Sequence, residues 1–239
     1  EGQFHQAISK LDKALELDPA ETIALLERGR TKFELNDLDG AIADFSRAAE
    51  IDPGEAWAYA DRAQILMLQG EHERAMVDLE RALELSPGNV NALTLHGEQL
   101  KYQGRYEEAR EDLEAALAIE PDNSYIRHEY AGALYGFGLW DESLAEYDKA
   151  ARLDPTNSHH VGGRGYLRLR LGESRAALDD FNKAVTDLPD IFQWYLFRAH
   201  ALAWLGRESD ASADIDKAFA LMTEGDKAWY YNDICWDLL

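Results

Sequence analysis

The side chains best suited to metal or acid–base chemistry are three histidines, His128, His159 and His160, and a short acidic run, Asp37-Leu38-Asp39-Gly40. A shared metal needs ligands at spacings that a helix or loop can present together, and His128 with His159-His160 fits no usual pattern. These histidines are read as solvated or partner-contacting. The acidic run looks like the start of a calcium loop, but the closing Glu is absent, and the segment opens a helix, where acids cap free N–H groups. Cys235 is the single cysteine. It makes no internal disulfide, leaves the redox compartment open and, with no evident activating base, is read as a buried thiol. No Gly-rich phosphate loop, HExxH or paired CxxC occurs. The many carboxylates are read as solvated helix faces rather than acid–base pairs. The expectation is a chain with no catalytic residue, no metal and no cofactor.

Composition narrows the partners. Asp and Glu outnumber Lys and Arg by 46 to 24, a net charge of −22. Nucleic acid and anionic membrane surfaces would both repel such a chain. Apolar residues make up 46%, enough for a continuous core. No stretch approaches the ~20 apolar residues of a membrane span, so no direct membrane insertion is expected. By length alone, 239 residues could be one or two domains, and a repeat would override that count.

A repeat is what positions these side chains. The six prolines, Pro19, Pro53, Pro87, Pro121, Pro155 and Pro189, stand 34 residues apart. A second column has the same step: Gly2, Asn36, Gly70, Gly104, Gly138, Gly172 and Gly206. Alanine fills a third (Ala14, Ala48, Ala82, Ala116, Ala150, Ala184, Ala218) and most of a fourth (Ala7, Ala41, Ala75, Ala109, Ser143, Ala177, Ala211). Proline lacks a donor and clashes with the preceding turn, so it marks a helix end. The glycine column falls between two helical patterns, where a left-handed residue closes a helix; Asn36 is the next best residue for that conformation. A bulky column, Leu11, Phe45, Leu79, Leu113, Tyr147, Phe181 and Ile215, lies between the alanines. Small against large at fixed spacing is how layered helices interdigitate. Each unit therefore reads as helix, tight turn, second helix and proline-marked turn. First helices start at Thr22, Ala56, Val90, Ser124, Ser158 and Phe192, a lone second helix precedes them (Phe4 to Leu17), and a lone first helix follows (Asp226 to Leu239). The chain opens inside a repeat, so the natural N-terminus is expected to lie upstream.

A unit of this length with these columns resembles the tetratricopeptide repeat, over the whole chain. Arg28-Gly29 with Ala41-Ile42-Ala43-Asp44-Phe45 looks most like the bacterial form. The resemblance implies an all-α fold, a right-handed α-solenoid of helix–turn–helix repeats with about fourteen helices. It would be one array over residues 1–239: 1–21 a second helix, full repeats 22–55, 56–89, 90–123, 124–157, 158–191 and 192–225, then 226–239 a first helix. Two columns break. The small first-helix column (Gly29, Ala63, Gly97, Ala131, Gly165, Ala199) ends in Asp233, and the aromatic-or-aliphatic column one turn earlier holds Arg127. Regular packing is expected to change there.

The resemblance also implies that first helices line a concave inner face that binds protein or peptide. On this sequence that face would hold Phe33, Trp57, Met67, Tyr102, Tyr125, His128, Tyr135, His159, Tyr166, Phe197, His200, Trp204 and Tyr230. Aromatic rings with a polar tip suit recognition, and the same rings also suit packing between neighbouring helices. Some relatives clamp the C-terminal carboxylate of chaperone tails with Lys, Arg and Asn from three successive units. The matching positions, Leu26, Arg30, Asp61, Asn91 and Leu95, lack that set, so that activity is not expected. The acid excess falls on second helices and turns, whereas the first-helix windows together are slightly positive, with Arg164, Arg168 and Arg170 forming a basic spot. The functional expectation is a protein- or peptide-binding scaffold. The alternative is a regulatory or targeting module of a larger enzyme.

Three structural expectations follow from the same columns. Arg28, Arg62, Arg164 and Arg198 should pair with the acids sixteen residues on, Asp44, Asp78, Asp180 and Asp214. Both ends, the last with Trp229, Tyr230, Ile234, Trp236 and Leu238, should be covered by further chain, by end-to-end self-association or by another molecule. Gly132, Gly136, Gly162 and Gly163 fall on the expected inner side of two successive first helices, where glycine costs about 1 kcal/mol each against alanine. They should either let helices touch or leave a recess walled by Tyr125, His128, Tyr135, His159 and Tyr166, with Arg170 at its edge.

Overall fold

A computed structural model of the chain describes residues 2–229. Tyr230, Asp233, Ile234, Cys235, Trp236 and Leu238 lie outside the described residues, and so do the expectations placed on them. Among the described residues there are fourteen helices and no strand. The first helices are α2 (Thr22–Glu34), α4 (Ala56–Leu68), α6 (Val90–Tyr102), α8 (Ser124–Phe137), α10 (Ser158–Arg170), α12 (Phe192–Trp204) and α14 (Glu224–Trp229). The second helices are α1 (Gly2–Leu17), α3 (Leu38–Ile51), α5 (His72–Leu85), α7 (Tyr106–Ile119), α9 (Trp140–Leu153), α11 (Ser174–Asp187) and α13 (Glu208–Leu221). The chain divides into two compact units, Glu1–Pro121 and Asp122–Leu239. Within each, α2, α4, α6, α8, α10 and α12 pack against the second helix that follows them.

The six full repeats begin their first helices at the residues the columns predict. The last does not. α14 starts at Glu224 rather than Asp226, because position 223 breaks the proline column with a threonine. Thr223 Oγ1 donates to the Asp226 carboxylate at 2.6 Å and accepts from the Asp226 N–H at 3.2 Å, a reciprocal cap that opens the helix early.

The tight turns are one motif repeated. Asn36 and Gly70, Gly104, Gly138, Gly172 and Gly206 all have positive φ. Each donates its N–H to the carbonyl three residues back, and the next residue donates to the carbonyl five back, as in Gly70 to Met67 (3.0 Å) and Glu71 to Leu66 (2.8 Å). Two otherwise free carbonyls are satisfied by one left-handed residue. Asp37 accepts from the Gly40 N–H at 3.1 Å as the cap of α3, which accounts for the acidic run without a cation.

The alanine columns form the contact layers. Ala41, Ala75, Ala109 and Ala177 are fully buried, as is Ser143, whose hydroxyl donates to the Ala131 carbonyl at 2.7 Å. Gly29 leaves room for Phe45: a Cβ there would stand 2.6 Å from the ring. Gly97 does the same for Leu113, and Gly165 for Asp180 and Phe181.

The four expected Arg–Asp pairs form, all two-pronged. Arg28 reaches Asp44 at 2.6 and 2.9 Å, Arg62 reaches Asp78 at 2.7 Å twice, and Arg198 reaches Asp214 at 2.6 and 2.7 Å. Arg164 reaches Asp180 at 2.5 and 3.1 Å. The remaining nitrogen of each guanidinium turns back to the preceding second helix, to Asp12, Ser46, Asp148 or Asn182. One arginine thus ties three helices. In the third repeat His96 takes the place of the arginine and meets Asp112 at 2.6 Å. In the fourth Tyr130 stands there, and Arg127, one turn earlier, reaches Glu146 at 2.5 Å. The arginine that breaks the aromatic column is the displaced strut, and glutamate's extra methylene spans the added distance. Losing one partner of such a pair costs up to about 3–5 kcal/mol, and less where a second ion remains, as Lys32 does for Asp44 and Arg168 for Asp180.

Candidate functional site

In the second unit, first-helix aromatic rings form an unbroken path. Tyr135 of α8 meets Tyr166 of α10 edge-on at 5.9 Å, and Tyr166 meets Phe197 of α12 at 5.1 Å. Phe197 then meets Trp194 at 6.1 Å, and Trp194 meets His159 at 5.8 Å. Tyr166, Trp194 and Phe197 each lay one side on the core built around Leu178, Phe181 and Leu202, and each stays half-exposed. Tyr125 is exposed at the start of α8. At the end of α12, His200 stacks on Trp204 at 6.2 Å, and the Trp204 indole is 72% exposed. Burial, then Arg170, push the His200 imidazole below its ordinary pKa.

Trp194 was not among the residues singled out from the sequence. The signal was a column: position 194 follows Ala24, Ala58, Ala92, Ile126 and His160 at the same step. An indole where the column begins with alanine needs room elsewhere, and Gly162 supplies it. A Cβ on Gly162 would stand 2.5 Å from the Trp194 ring. A Cβ on Gly163 would stand 2.7 Å from the Tyr147 ring and 3.0 Å from the His128 ring. This corrects the recess expected at these two glycines and bears out the close packing: neighbouring helices touch there through aromatic rings set against the bare backbone. Gly132 and Gly136 are half-buried on α8. His128 faces inward, with its ring 5.2 Å from Tyr147 and 5.3 Å from His160. His160 is 1% exposed and, among the described residues, neither ring nitrogen has a hydrogen-bond partner. Burial lowers its pKa and raises that of the Tyr147 hydroxyl.

The first unit's face is built differently. The Arg30 guanidinium lies 5.4 Å over the Trp57 ring and donates to Asp61 at 2.6 Å. Asn91 donates to the other Asp61 oxygen at 3.4 Å. Burial pushes the Asp61 carboxyl up, and Arg30 pulls it back. Arg30 and Asn91, two of the positions a carboxylate clamp would use, are thus both held by Asp61, a third. Phe33 packs on the core of the first repeat, and Tyr102 stacks on His72 at 5.0 Å with its outer side exposed.

Models of the tetratricopeptide repeat match residues 1–56, 56–89 and 100–162. The chain belongs to the tetratricopeptide repeat family. Its fold is similar to that of YrrB, described as a tetratricopeptide repeat protein with an unusual peptide-binding site. The two share 21% identity over 82% of this chain and 97% of YrrB, with a TM-score of 0.62. It is also similar to a tetratricopeptide repeat protein from Parabacteroides merdae, at 21% identity over 100% of this chain and 91% of that one, with a TM-score of 0.70. PilF of Pseudomonas aeruginosa has 20% identity over 82% and 89% of the two chains and a TM-score of 0.69. No curated protein matches the sequence.

In this tetratricopeptide repeat chain the first-helix face of the second unit presents ring area and hydrogen-bonding tips. Among the described residues, no three His, Cys, Asp or Glu side chains gather to hold a metal ion. None of the described helices is long and apolar enough to cross a membrane.

Proposed function

We propose that this chain is a scaffold that holds a peptide or protein segment on the first-helix face of its second unit. The observation that carries the reading is the ring path from Tyr135 through Tyr166 and Phe197 to Trp194 and His159, half-exposed across three successive first helices. Rigid aromatic rings bring large contact area at low entropic cost, and their tips fix orientation. The rings are already held by the core, so binding need not order them. The peptide-binding site of YrrB supports the reading by analogy of fold alone.

The test is selection of peptides from a random display library on the whole chain, followed by affinity measurements with Tyr125→Ala and Trp204→Ala. Both side chains are exposed, so the variants should fold as the parent does. The selected peptides should bind the variants at least tenfold more weakly. Unchanged affinity would refute this face as the binding surface.

A further inference from the structure

The first-helix face of the second unit carries a charge that the chain itself leaves unanswered. Arg127, Arg164, Arg168 and Arg198 each bond an acid on a second helix. Arg170 is exposed, and among the described residues its guanidinium is in no ion pair or hydrogen bond. It lies one turn beyond Tyr166 on α10, so the two share a helix face. His200 and Trp204 have the same spacing on α12, and Arg170 stands near enough to His200 to disfavour its protonation. α10 and α12 contain no Asp or Glu. The result is a patch of Tyr166, Arg170, His200 and Trp204, cationic and aromatic, on a chain of net charge −22.

We infer that the segment bound here carries an aromatic side chain followed by an internal Asp or Glu, with the ring against Tyr166 and Trp204 and the carboxylate on the Arg170 guanidinium. This rests on the binding face proposed above. A lone guanidinium matches one carboxylate two-pronged. A guanidinium pairs with a terminal carboxylate in the same way, and the free-terminus probe below separates that source from a side chain. The net charge alone would suggest a basic segment. The acids that make up that charge sit on second helices and turns, and α10 and α12 present a basic segment with nothing to pair. Arg170 is also the last residue of α10, where a cation is favoured by the helix dipole, and that role would act on stability rather than on affinity.

The probes are pools of N-acetylated, C-amidated octapeptides with a central Phe-Glu, Phe-Gln or Phe-Lys pair, and a Phe-Gln pool with a free C-terminal carboxylate. Binding to the whole chain is read by fluorescence anisotropy. The Phe-Glu pool should bind about fivefold tighter than Phe-Gln, the size of one partly exposed ion pair. Arg170→Gln should erase that preference by weakening Phe-Glu binding more than Phe-Gln binding, and Arg170→Lys should keep part of it. Equal or tighter binding of Phe-Gln or Phe-Lys overturns the inference and leaves the binding face standing. So does a preference confined to the free-terminus pool, or a lower melting temperature for Arg170→Gln with the Phe-Glu preference intact. If every pool binds Trp204→Ala as well as the parent, the face reading falls and the inference with it.

Discussion

His160 shows how one buried side chain can make stability depend on pH. It occupies a column position filled by alanine in three earlier repeats and by the buried Ile126 in the one before it. Its ring lies beside His128, and the charges that act on it are Asp154 and Glu129, which favour the proton, and His159, which opposes it. Burial is the largest influence and holds the folded-state pKa below the ordinary 6.5. The unfolded chain therefore binds more protons than the folded one between those two values, and stability falls as pH drops through that window. Below the folded-state value the loss levels off. Urea midpoints should decrease from pH 7.5 to pH 5. His160→Ile, which places the side chain of Ile126 in the same column, should flatten part of that slope, and His200, shifted in the same direction, should account for another part. An unaltered slope in His160→Ile would show that this imidazole is not the group being titrated.

At the scale of helices, the chain solves one packing problem by exchange. Trp194 of α12 is too large for a column that begins with alanine, and α10 yields by placing Gly162 beneath the ring. Gly162→Ala should gain about 1 kcal/mol of helix propensity and lose about 1–3 kcal/mol to overpacking, a net loss on the order of 1 kcal/mol. In a Trp194→Leu background the obstacle is gone, and the same alanine should be neutral or stabilising. A double-mutant cycle by urea unfolding measures the difference, and additivity would mean the glycine does not serve the indole. The same pair marks where the sequence stops being legible. Helix starts and left-handed turns each depend on one residue, and Arg–Asp struts on two residues of one repeat, so columns compared within a repeat reveal them. The room at Gly162 depends on a residue 32 positions on in the next repeat, and comparing like positions column by column does not pair the two. The threonine at 223 was visible as a gap in the proline column, but its reciprocal bond to Asp226 needed geometry. The aromatic residues of the first helices stand in the sequence as a set. Which of them fill space, as His128 does, and which stay open, as Trp204 does, was not legible there.

At the scale of the whole molecule, two electrostatic effects compete, and salt separates them. The 46 acids against 24 Lys and Arg make the folded chain repel itself, since compaction brings like charges closer than the unfolded chain holds them. Against this stand the Arg–Asp struts, whose aspartates are buried and are therefore screened little by salt. Many of the other ion pairs among the described residues join side chains three or four positions apart, such as Arg47–Glu50 and Lys183–Asp187, and are exposed. Pairs of that kind contribute roughly 0.3–0.5 kcal/mol each and lose it on screening. Raising NaCl from about 0.01 M to about 0.15 M shortens the screening length from roughly 30 Å to roughly 8 Å. That removes the long-range repulsion among acids spread over many second helices and leaves contacts near 3 Å largely intact. The melting temperature should therefore rise, and a net gain on the order of 1 kcal/mol would appear as about 2–4 °C in a chain of this size. A fall would mean that the exposed pairs outweigh the repulsion. A rise seen with sulfate but not with chloride would point to surface exclusion of the salt rather than screening.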